Sequence, residues 1–438
     1  MGKVIVLGAG ESGVGAAALA KKLGHEVLVS DAGQVKSQYK EKLTELNIPF
    51  EEGGHTKESF FDAEIVIKSP GIPPWVPLIE ELVAADIPVI SEIEFAYRYA
   101  EAPIIAITGS NGKTTTTSLI HHLLKGAGIN AYVGGNIGES FAMQVASLPM
   151  PEVFVLEVSS FQLDDCVDFQ PNIALLLNIT PDHLDRYQGS MEAYTHSKYR
   201  ITMNQSADDV FIFNEEDKWS IWGKENNAVK AQQLSFGLEK GKNALRLEGQ
   251  LKLMNGEMID LKELKILGPH NHLNVMAALL AVQAFGLRIE EVKEALYSFL
   301  PIAHRLEPIG NMKGVEWVND SKATNVDAVK YALEAMDKPV IWLAGGVDKG
   351  NDYTGLLQLV ADKVKSIIIL GENDEKIRQN FHRPISNVAS MQEAVRLAQQ
   401  QAEKGDIVLL SPACSSFDLF RNYIDRGEQF REAVLALA

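Results

Sequence analysis

Short unbroken apolar runs alternate along this chain with stretches whose apolar residues recur at helical spacing. Val4-Ile5-Val6-Leu7 has the character of a buried strand and Ala16 to Leu23 that of a helix. Val27-Leu28-Val29, Ile65-Val66-Ile67 and Pro88-Val89-Ile90 continue the rhythm. A second block opens near Pro103. Ile104 to Ile107 predicts a strand, Thr115 to Lys125 the helix after it, and Val153 to Leu156 and Ile173 to Leu177 further buried strands. Between about 208 and 267 the pattern changes. Val210 to Phe213 and the stretch Leu245 to Ile259 predict short strands, with Asn255-Gly256 as a hairpin turn. Helices follow at Asn274 to Phe285 and Ile289 to Phe299. A third block, from near Pro301, carries strands at Val340 to Leu343, Ile367 to Leu370 and Ile407 to Leu410. Strands alternating with helices imply mostly parallel sheets. Boundaries near 93 and 300 give three α/β domains, 1–93, 94–300 and 301–438.

The length, 438 residues, agrees with about three domains at roughly 150 residues each. With 46% apolar and 23% charged residues the composition is globular, so dominant disorder is excluded. No apolar run reaches the ~18 residues of a membrane helix; the best, Val275 to Leu287, is short and interrupted by Gln283. The N-terminal apolar run meets glycines and Glu11 almost at once, which fits a strand and not a signal peptide. Two cysteines, Cys166 and Cys414, make no disulfide framework. The expectation is a soluble, cytoplasmic, monomeric protein with no membrane insertion. Its 41 basic against 58 acidic residues give a net charge of −17. That balance disfavours nucleic acid, whose recognition starts from a positive footprint. It leaves open an anionic small ligand held by a few local donors.

Three loops then carry chemistry. Gly8-Ala9-Gly10-Glu11-Ser12-Gly13 follows a strand and opens a helix, and Asp31 stands at the end of the next strand. Glycines there let a diphosphate approach the backbone at a helix N-terminus. The motif alone suggests a nicotinamide dinucleotide; a nucleotide-diphosphate sugar satisfies the same physics, and a bare turn needs no ligand. Gly109-Ser110-Asn111-Gly112-Lys113-Thr114 sits between a strand and a helix and is a phosphate-cradling loop. Lys113 would neutralise charge and the Thr114 hydroxyl would ligate Mg²⁺. The common pattern places a glycine where Ile107 stands, so this loop is a shorter variant. Glu157 and His183 each lie just beyond a buried strand, at the edge that faces the ligand crevice in open α/β sheets; Glu157 there is a natural Mg²⁺ ligand. Asp164, Asp165, Asp182 and Asp185 could supplement it, but no spacing singles one out. Lys198, on a helix, reads from the sequence alone as a surface lysine, and His121-His122 as structural. Neither cysteine has partners at zinc-ligand spacing. In the third block Asn319 to Asn325, Gly345 to Gly350 and Ser411 to Phe417 are polar loops at strand ends, which suggests that one edge of a third sheet lines a site.

Together these residues resemble the Mur ligase family of peptidoglycan synthesis, in the same order over essentially the whole chain. Residues Gly109, Ser110, Asn111, Gly112, Lys113, Thr114 and Thr115 are similar to its ATP loop, and Glu157 to Leu163 to its acidic metal motif. Asn178 to Arg186, Gly268 to Asn274 and His304-Arg305 are similar to its central motifs. Ser411 to Asp418 with Arg426-Gly427, and Asn319 to Thr324, resemble the D-glutamate-adding branch.

The resemblance implies a Rossmann-like N-terminal domain, a central P-loop ATPase-like α/β domain with extra β-strands, and a Rossmann-like C-terminal domain. It implies an ATP-dependent ligase that adds D-glutamate to UDP-N-acetylmuramoyl-L-alanine through an acyl phosphate. Gly8, Gly10, Ser12, Gly13, Asp31, Ser69 and Gly71 would then meet UDP and not NAD. Asn136 and His183 would meet the muramoyl-alanine part. Asn271, Asn274, Arg305 and Asp320 would join the ATP loop around the nucleotide. Thr324, Lys349, Ser416, Phe417 and Tyr423 would hold D-glutamate, with Tyr423 where relatives often carry Phe. Lys113, Glu157, His183, Lys198 and Arg305 would be catalytic. Thr114, Glu157, His183 and a carbamylated Lys198 would hold two Mg²⁺. A sister Mur or folylpolyglutamate-type ligase should differ at 411–417. A dehydrogenase or a nucleotide switch leaves most of these loops unused.

Overall fold

The computed structural model describes residues 2–437 except 148, 267, 349–350 and 372–374. It contains three sheets. The first has β1 (Lys3–Leu7), β2 (Glu26–Asp31), β3 (Phe50–Glu52), β4 (Ile65–Lys68) and β5 (Val89–Ser91) in the order β3-β2-β1-β4-β5, all parallel. Four consecutive apolar residues bury β1 on both faces, as the centre of a parallel sheet requires. The order reverses beside β1, which places a crevice beyond its carboxyl end.

The second sheet contains β6 (Ile104–Thr108), β7 (Ala131–Gly135), β8 (Val153–Glu157), β9 (Ile173–Leu176) and β10 (Val210–Asn214). It continues with β11 (Gln232–Gly237), β12 (Ala244–Leu247), β13 (Gln250–Leu253) and β14 (Met258–Asp260). Its order is β14-β13-β12-β11-β10-β9-β6-β8-β7, parallel as far as β12 and antiparallel in the last two pairings. The stretch expected to form one hairpin therefore forms two. The additional turn is Glu248-Gly249, both with positive φ, which suits the twist of a two-residue connection.

The third sheet has β15 (Glu307–Met312), β16 (Val315–Asn319), β17 (Val340–Gly345), β18 (Val364–Leu370), β19 (Ile385–Val388) and β20 (Ile407–Ala413). The order is β15-β16-β20-β17-β18-β19, with only β15 antiparallel to its neighbour. The expected three-sheet α/β architecture is thus present. By contact density the chain forms two compact units. Residues 1–263 with 272–298 hold the first two sheets, and residues 264–271 with 299–438 hold the third. No helix among the described residues is long and apolar enough to cross a membrane.

Helices start earlier than apolar spacing alone predicts. They run Glu11–Lys22, Lys113–Gly126 and Pro269–Ala284, because their first turns are the polar ends of the three motifs. Strands β3, β7, β15 and β19 lack the apolar run that would announce them; β7 ends in Gly134-Gly135 and β15 contains Pro308 and Gly310.

In the first unit one apolar cluster runs from Val4 and Val6 through the helix Glu11–Lys22 to Phe141, Phe154 and Leu156, so the two sheets share a core. Two carboxylates of the helix Glu92–Tyr97 lie inside it on different terms. Glu94 accepts the backbone N–H groups of Val167, Asp168 and Phe169 at 2.9–3.0 Å. Glu92 accepts only Ala142 N, at 2.5 Å through Oε1, and its Oε2 has no partner among the described residues. Burial, with Glu11 adding repulsion, pushes its carboxyl up to about 8, so it is a neutral acid at neutral pH. The stabilisation tied to that proton is complete below the ordinary carboxylate range and is lost as pH climbs through about 8. Glu92→Gln keeps the neutral shape without the proton. Relative to the parent, its stability should rise between pH 5 and 8 by up to about 1.4 kcal/mol per pH unit. Urea unfolding of both proteins across that range checks this; parallel profiles would contradict it.

Candidate active site

The first strand-to-helix loop is built as its glycines demand. Gly8 has φ +96°, and a Cβ on Gly13 would fall onto Gly8 O. Asp31, at the end of β2, ties the turn together: Oδ2 accepts Ala9 N and Oδ1 accepts Gly33 N, both at 2.8 Å. Ser69 Oγ lies 3.4 Å from Gly8 O, bringing the Ser69-Pro70-Gly71 segment alongside. A Cβ at Gly10 or Gly71 would meet nothing within 4 Å, so space is kept open over both. Gly10 caps the helix without a side-chain acceptor, and Ser12 lies in its first turn. The amides of that turn are a ready anion site.

The second loop joins β6 to the helix Lys113–Gly126. Gly112 has φ +85°, and a Cβ there would collide with Asn274 Oδ1, so Asn274 is packed against the loop. Lys113 Nζ folds back on Gly109 O at 2.7 Å and Ser110 O at 2.9 Å. Asn178 grips the loop from β9: Ser110 N donates to Asn178 O and Asn111 N to Asn178 Oδ1, both at 2.9 Å, while Asn178 Nδ2 donates to Asn111 O at 3.0 Å. Ser110 Oγ is held between Thr180 N and Thr180 O and lies 3.1 Å from Tyr194 OH. The amides from Gly112 onward head the helix, where its dipole favours an anion. Thr114 and Thr115 stand in the first turn beside them.

Glu157 ends β8, next to β6, in register with Ile107. It is 2% exposed. Oε1 accepts Asn136 Nδ2 at 2.8 Å, and Oε2 has no hydrogen-bond partner among the described residues. A buried carboxylate oxygen left unsatisfied calls for an explanation, and a hard cation supplies one. His183 takes φ +52° at the head of the turn Leu184–Tyr187, 3.6 Å from Asp182 and edge-on to Phe161.

Lys198 corrects the surface reading: it is 2% exposed. The helix Met191–Tyr199 buries Tyr194, Thr195, Ser197 and Tyr199 as well, and the Lys198 ammonium lies 4.5 Å from the Tyr194 ring. Burial, then Lys113, lower its pKa well below the usual lysine value, against an opposing pull from Asp182 and Asp164. Asp164 is held by Ser197 and Tyr187, and Asp165 by Lys68 at 2.6 Å. His121 meets Ala131 O and His122 meets Ser298 Oγ. No cluster of three His, Cys, Asp or Glu exists among the described residues. The donors here are instead one hydroxyl, one carboxylate, one imidazole and one lysine. They fit Mg²⁺ if Lys198 presents oxygen.

In the second unit the three polar loops meet at one sheet edge, since β16, β20 and β17 are neighbours. Asp320 is buried; Oδ2 accepts Ser411 Oγ at 2.9 Å and Oδ1 accepts Leu306 N at 3.2 Å. Burial raises its carboxyl to about 7 against Arg305 and Arg426. Val347 pairs with Ser415 and joins the Gly345 loop to the Ser411 loop. Arg426, 1% exposed, donates to Ser321 Oγ, Ser321 O and Cys414 O at 2.8–3.2 Å and so locks two of the loops. Thr324 is half-buried, Ser416 buried and Phe417 73% exposed. Tyr423 opens the helix Tyr423–Leu435 with Lys322 Nζ 3.9 Å from its ring centroid. Lys349 lies outside the described residues. Asn271 and Asn274 share the helix Pro269–Ala284, and the division between units falls between them. Tyr194 carries no motif signal and is found only by following what holds Ser110 in place; Asn178 and Arg426 stand in family-like segments, but their bonds to the loops are seen only in the structure.

With its three sheets, two glycine-rich strand-to-helix loops and polar third sheet edge, the chain belongs to the Mur ligase family. The model for the Mur ligase middle domain matches residues 107–282, that for the Mur ligase glutamate ligase domain residues 304–414, and that for the MurD N-terminal domain residues 3–77. Among its relatives, the UDP-N-acetylmuramoylalanine–D-glutamate ligase of Christiangramia forsetii is 49% identical over 440 residues, covering 99% of both chains. That of Bacteroides thetaiotaomicron is 46% identical over 445 residues, covering 100% of both. The fold matches UDP-N-acetylmuramate-alanine ligase from Thermotoga maritima at TM-score 0.65 and 18% identity over 100% of each chain. It also matches E. coli FolC, in complex with DHPP and ADP, at TM-score 0.60 and 16% identity over 79% of this chain and 92% of that one.

Gly112→Ala tests the loop geometry. The new Cβ meets both a left-handed backbone, which costs roughly 1–2 kcal/mol, and Asn274. The Michaelis constant for ATP should rise about tenfold or more, since ~1.4 kcal/mol is one factor of ten. Steady-state kinetics check it, and an unchanged constant would show that the loop does not seat the nucleotide.

Proposed function

We propose that this chain joins D-glutamate to UDP-N-acetylmuramoyl-L-alanine, with ATP converted to ADP and phosphate, in the cytoplasmic synthesis of peptidoglycan precursors. Its full-length identity to ligases of that name supports the reading. The observation that carries it is local: a phosphate loop and a buried, half-satisfied Glu157 stand on the ends of adjacent parallel strands.

The chemistry follows from what an amide bond requires. A carboxylate is a poor electrophile. An alanyl carboxylate oxygen attacks the γ-phosphorus of ATP, the bond to ADP breaks, and an acyl phosphate results. The amine of D-glutamate then adds its lone pair to the acyl carbon. The amine loses a proton, the carbon–oxygen bond breaks, and phosphate leaves. Negative charge spreads over the phosphoryl oxygens in transfer, so fixed cations lower the barrier. Lys113 and Arg305 supply two. Mg²⁺, two ions in this reading, would add charge neutralisation when held by Thr114, Glu157, His183 and Lys198.

The remaining residues bind. Gly8, Gly10, Ser12, Gly13, Asp31, Ser69 and Gly71 would take UDP in a domain 1–93, and Asn136 with His183 the muramoyl-alanine part. Residues Gly109 to Thr115 would take the ATP phosphates in a domain 94–300, with Asn271, Asn274 and Asp320 on the nucleoside. Thr324, Lys349, Ser416, Phe417 and Tyr423 would take D-glutamate in a domain 301–438. The enzyme acts as a monomer in this reading, every named group coming from one chain.

Lys198 has a specific part. Burial and Lys113 favour its neutral amine, and a neutral amine adds to CO₂: the nitrogen lone pair forms the N–C bond and one N–H proton leaves. The carbamate so formed has two oxygens and a negative charge, which suits Mg²⁺.

Phosphate release should require ATP, UDP-N-acetylmuramoyl-L-alanine and D-glutamate together. Equal turnover with L-alanine or a diamino acid in place of D-glutamate would sink the assignment. For the carbamate, Lys198→Ala should be nearly inactive and partly restored by acetate or formate. Rescue by small amines, with an unmodified Lys198 nitrogen in a high-resolution map, would refute it.

A further inference from the structure

We infer that Asn178 is a positioning residue for ATP: its side-chain amide ties Asn111 to the segment that follows β9 and thereby fixes which amides of the phosphate loop face the nucleotide. β6 and β9 pair in parallel from Ile105↔Ile173 to Thr108↔Leu176. Backbone pairing continues past both strands, with Leu177 N donating to Thr108 O at 3.1 Å and Ser110 N to Asn178 O at 2.9 Å. Beyond Ser110 the backbone leaves the ladder for the loop, and the Asn178 side chain holds it there. Oδ1 accepts Asn111 N at 2.9 Å and Nδ2 donates to Asn111 O at 3.0 Å. A primary amide presents an acceptor and a donor side by side, as a peptide does. Aspartate lacks the donor, and alanine lacks both.

This has a consequence for the nucleotide. The loop has only four residues, Gly109 to Gly112, between strand and helix. The amides of Ser110 and Asn111 are already used within the protein, and so is the Ser110 hydroxyl, bonded to Thr180. In this scheme the phosphates are met by the amides at the head of the helix, from Gly112 onward. If Asn178 did not hold Asn111, the front half of the loop could rotate and offer different amides. The same residue sets spacing, since Asp182 and His183 follow on its own segment, and Ser110 touches Tyr194 one helical turn from Lys198. Asn178 touches no substrate in this scheme; it acts through the loop.

The inference rests on the ATP reading above, and the test separates the two. Calorimetry with Mg-ADP on the full-length protein measures nucleotide binding directly; no binding by the parent protein would sink the ATP reading. Given parental binding, Asn178→Ala should weaken ADP by about tenfold through loss of two hydrogen bonds and raise the Michaelis constant for ATP to match. The constants for D-glutamate and the UDP substrate should stay within about twofold. Asn178→Asp should be at least as impaired, because its carboxylate faces Asn111 O. A residue that only stabilises the fold would lower the melting temperature of both variants and leave the constants of the folded fraction unchanged; that result would overturn the inference. Amide-resolved hydrogen exchange on the unmodified protein decides independently of whether the variants fold. Ser110 and Asn111 amides should be protected without nucleotide and unchanged by Mg-ADP, while those from Gly112 to Thr115 gain protection. Protection of Ser110 and Asn111 appearing only with ADP would make them phosphate donors and refute the assignment.

Discussion

The parallel pairing of β6 between β8 and β9 is the constraint on which the first unit's chemistry depends. Neighbouring strands lie about 4.8 Å apart. When three of them run the same way, whatever follows each carboxyl end is forced into one small region. After β6 comes the phosphate loop, at the end of β8 stands Glu157, and after β9 comes Asn178 with His183 a few residues on. Each strand is buried on both faces, as a central strand of a parallel sheet requires. A hydrophobic requirement thus positions the polar residues, none of which contributes to the core.

Low-dielectric surroundings then decide the ionic state of the groups brought together. Glu92 and Lys198 are both buried, and burial drives both toward neutrality. Their settings differ. Glu92 lies in the apolar seam shared by the first two sheets, where a proton completes its chemistry. Lys198 is near Lys113, Asp164 and Asp182, whose charges act on it in opposite directions. Glu94, two residues from Glu92, accepts three backbone N–H groups, and Lys68 pairs with Asp165. Burial without a partner drives a group toward its neutral form.

How much of this is legible beforehand follows from which forces write a one-dimensional signature. Continuous apolar runs announce the central strands, and glycine patterns announce the two anion loops, because each depends on adjacent residues. The edge strands β3, β15 and β19 depend on neighbours far along the chain and carry no such mark. Lys198 looks like any helical lysine, since nothing local shows that its face of the helix Met191–Tyr199 is covered. Asn178 and Arg426 act through backbone groups, which every residue has, so their partners leave no trace in composition. Family resemblance points to Lys198 without a physical reason; the structure adds its burial and the nearby Lys113.

The site residues divide further by what remains of their hydrogen-bonding capacity. Both Asp31 oxygens already accept a backbone amide, so its carboxylate can reach a ligand only through its remaining lone pairs and acts first to hold the loop. The Ser110 hydroxyl and the Asp320 carboxylate are likewise engaged within the protein. Glu157 differs, with one oxygen tied to Asn136 and the other buried and unsatisfied. A fold tolerates such a cost where a ligand removes it, and orienting Glu157 through Asn136 keeps that oxygen aimed before any ligand arrives. Preorganisation of this kind is what electrostatic catalysis requires, because the groups need not reorganise as charge develops. Asn136 thus positions Glu157 through one amide hydrogen.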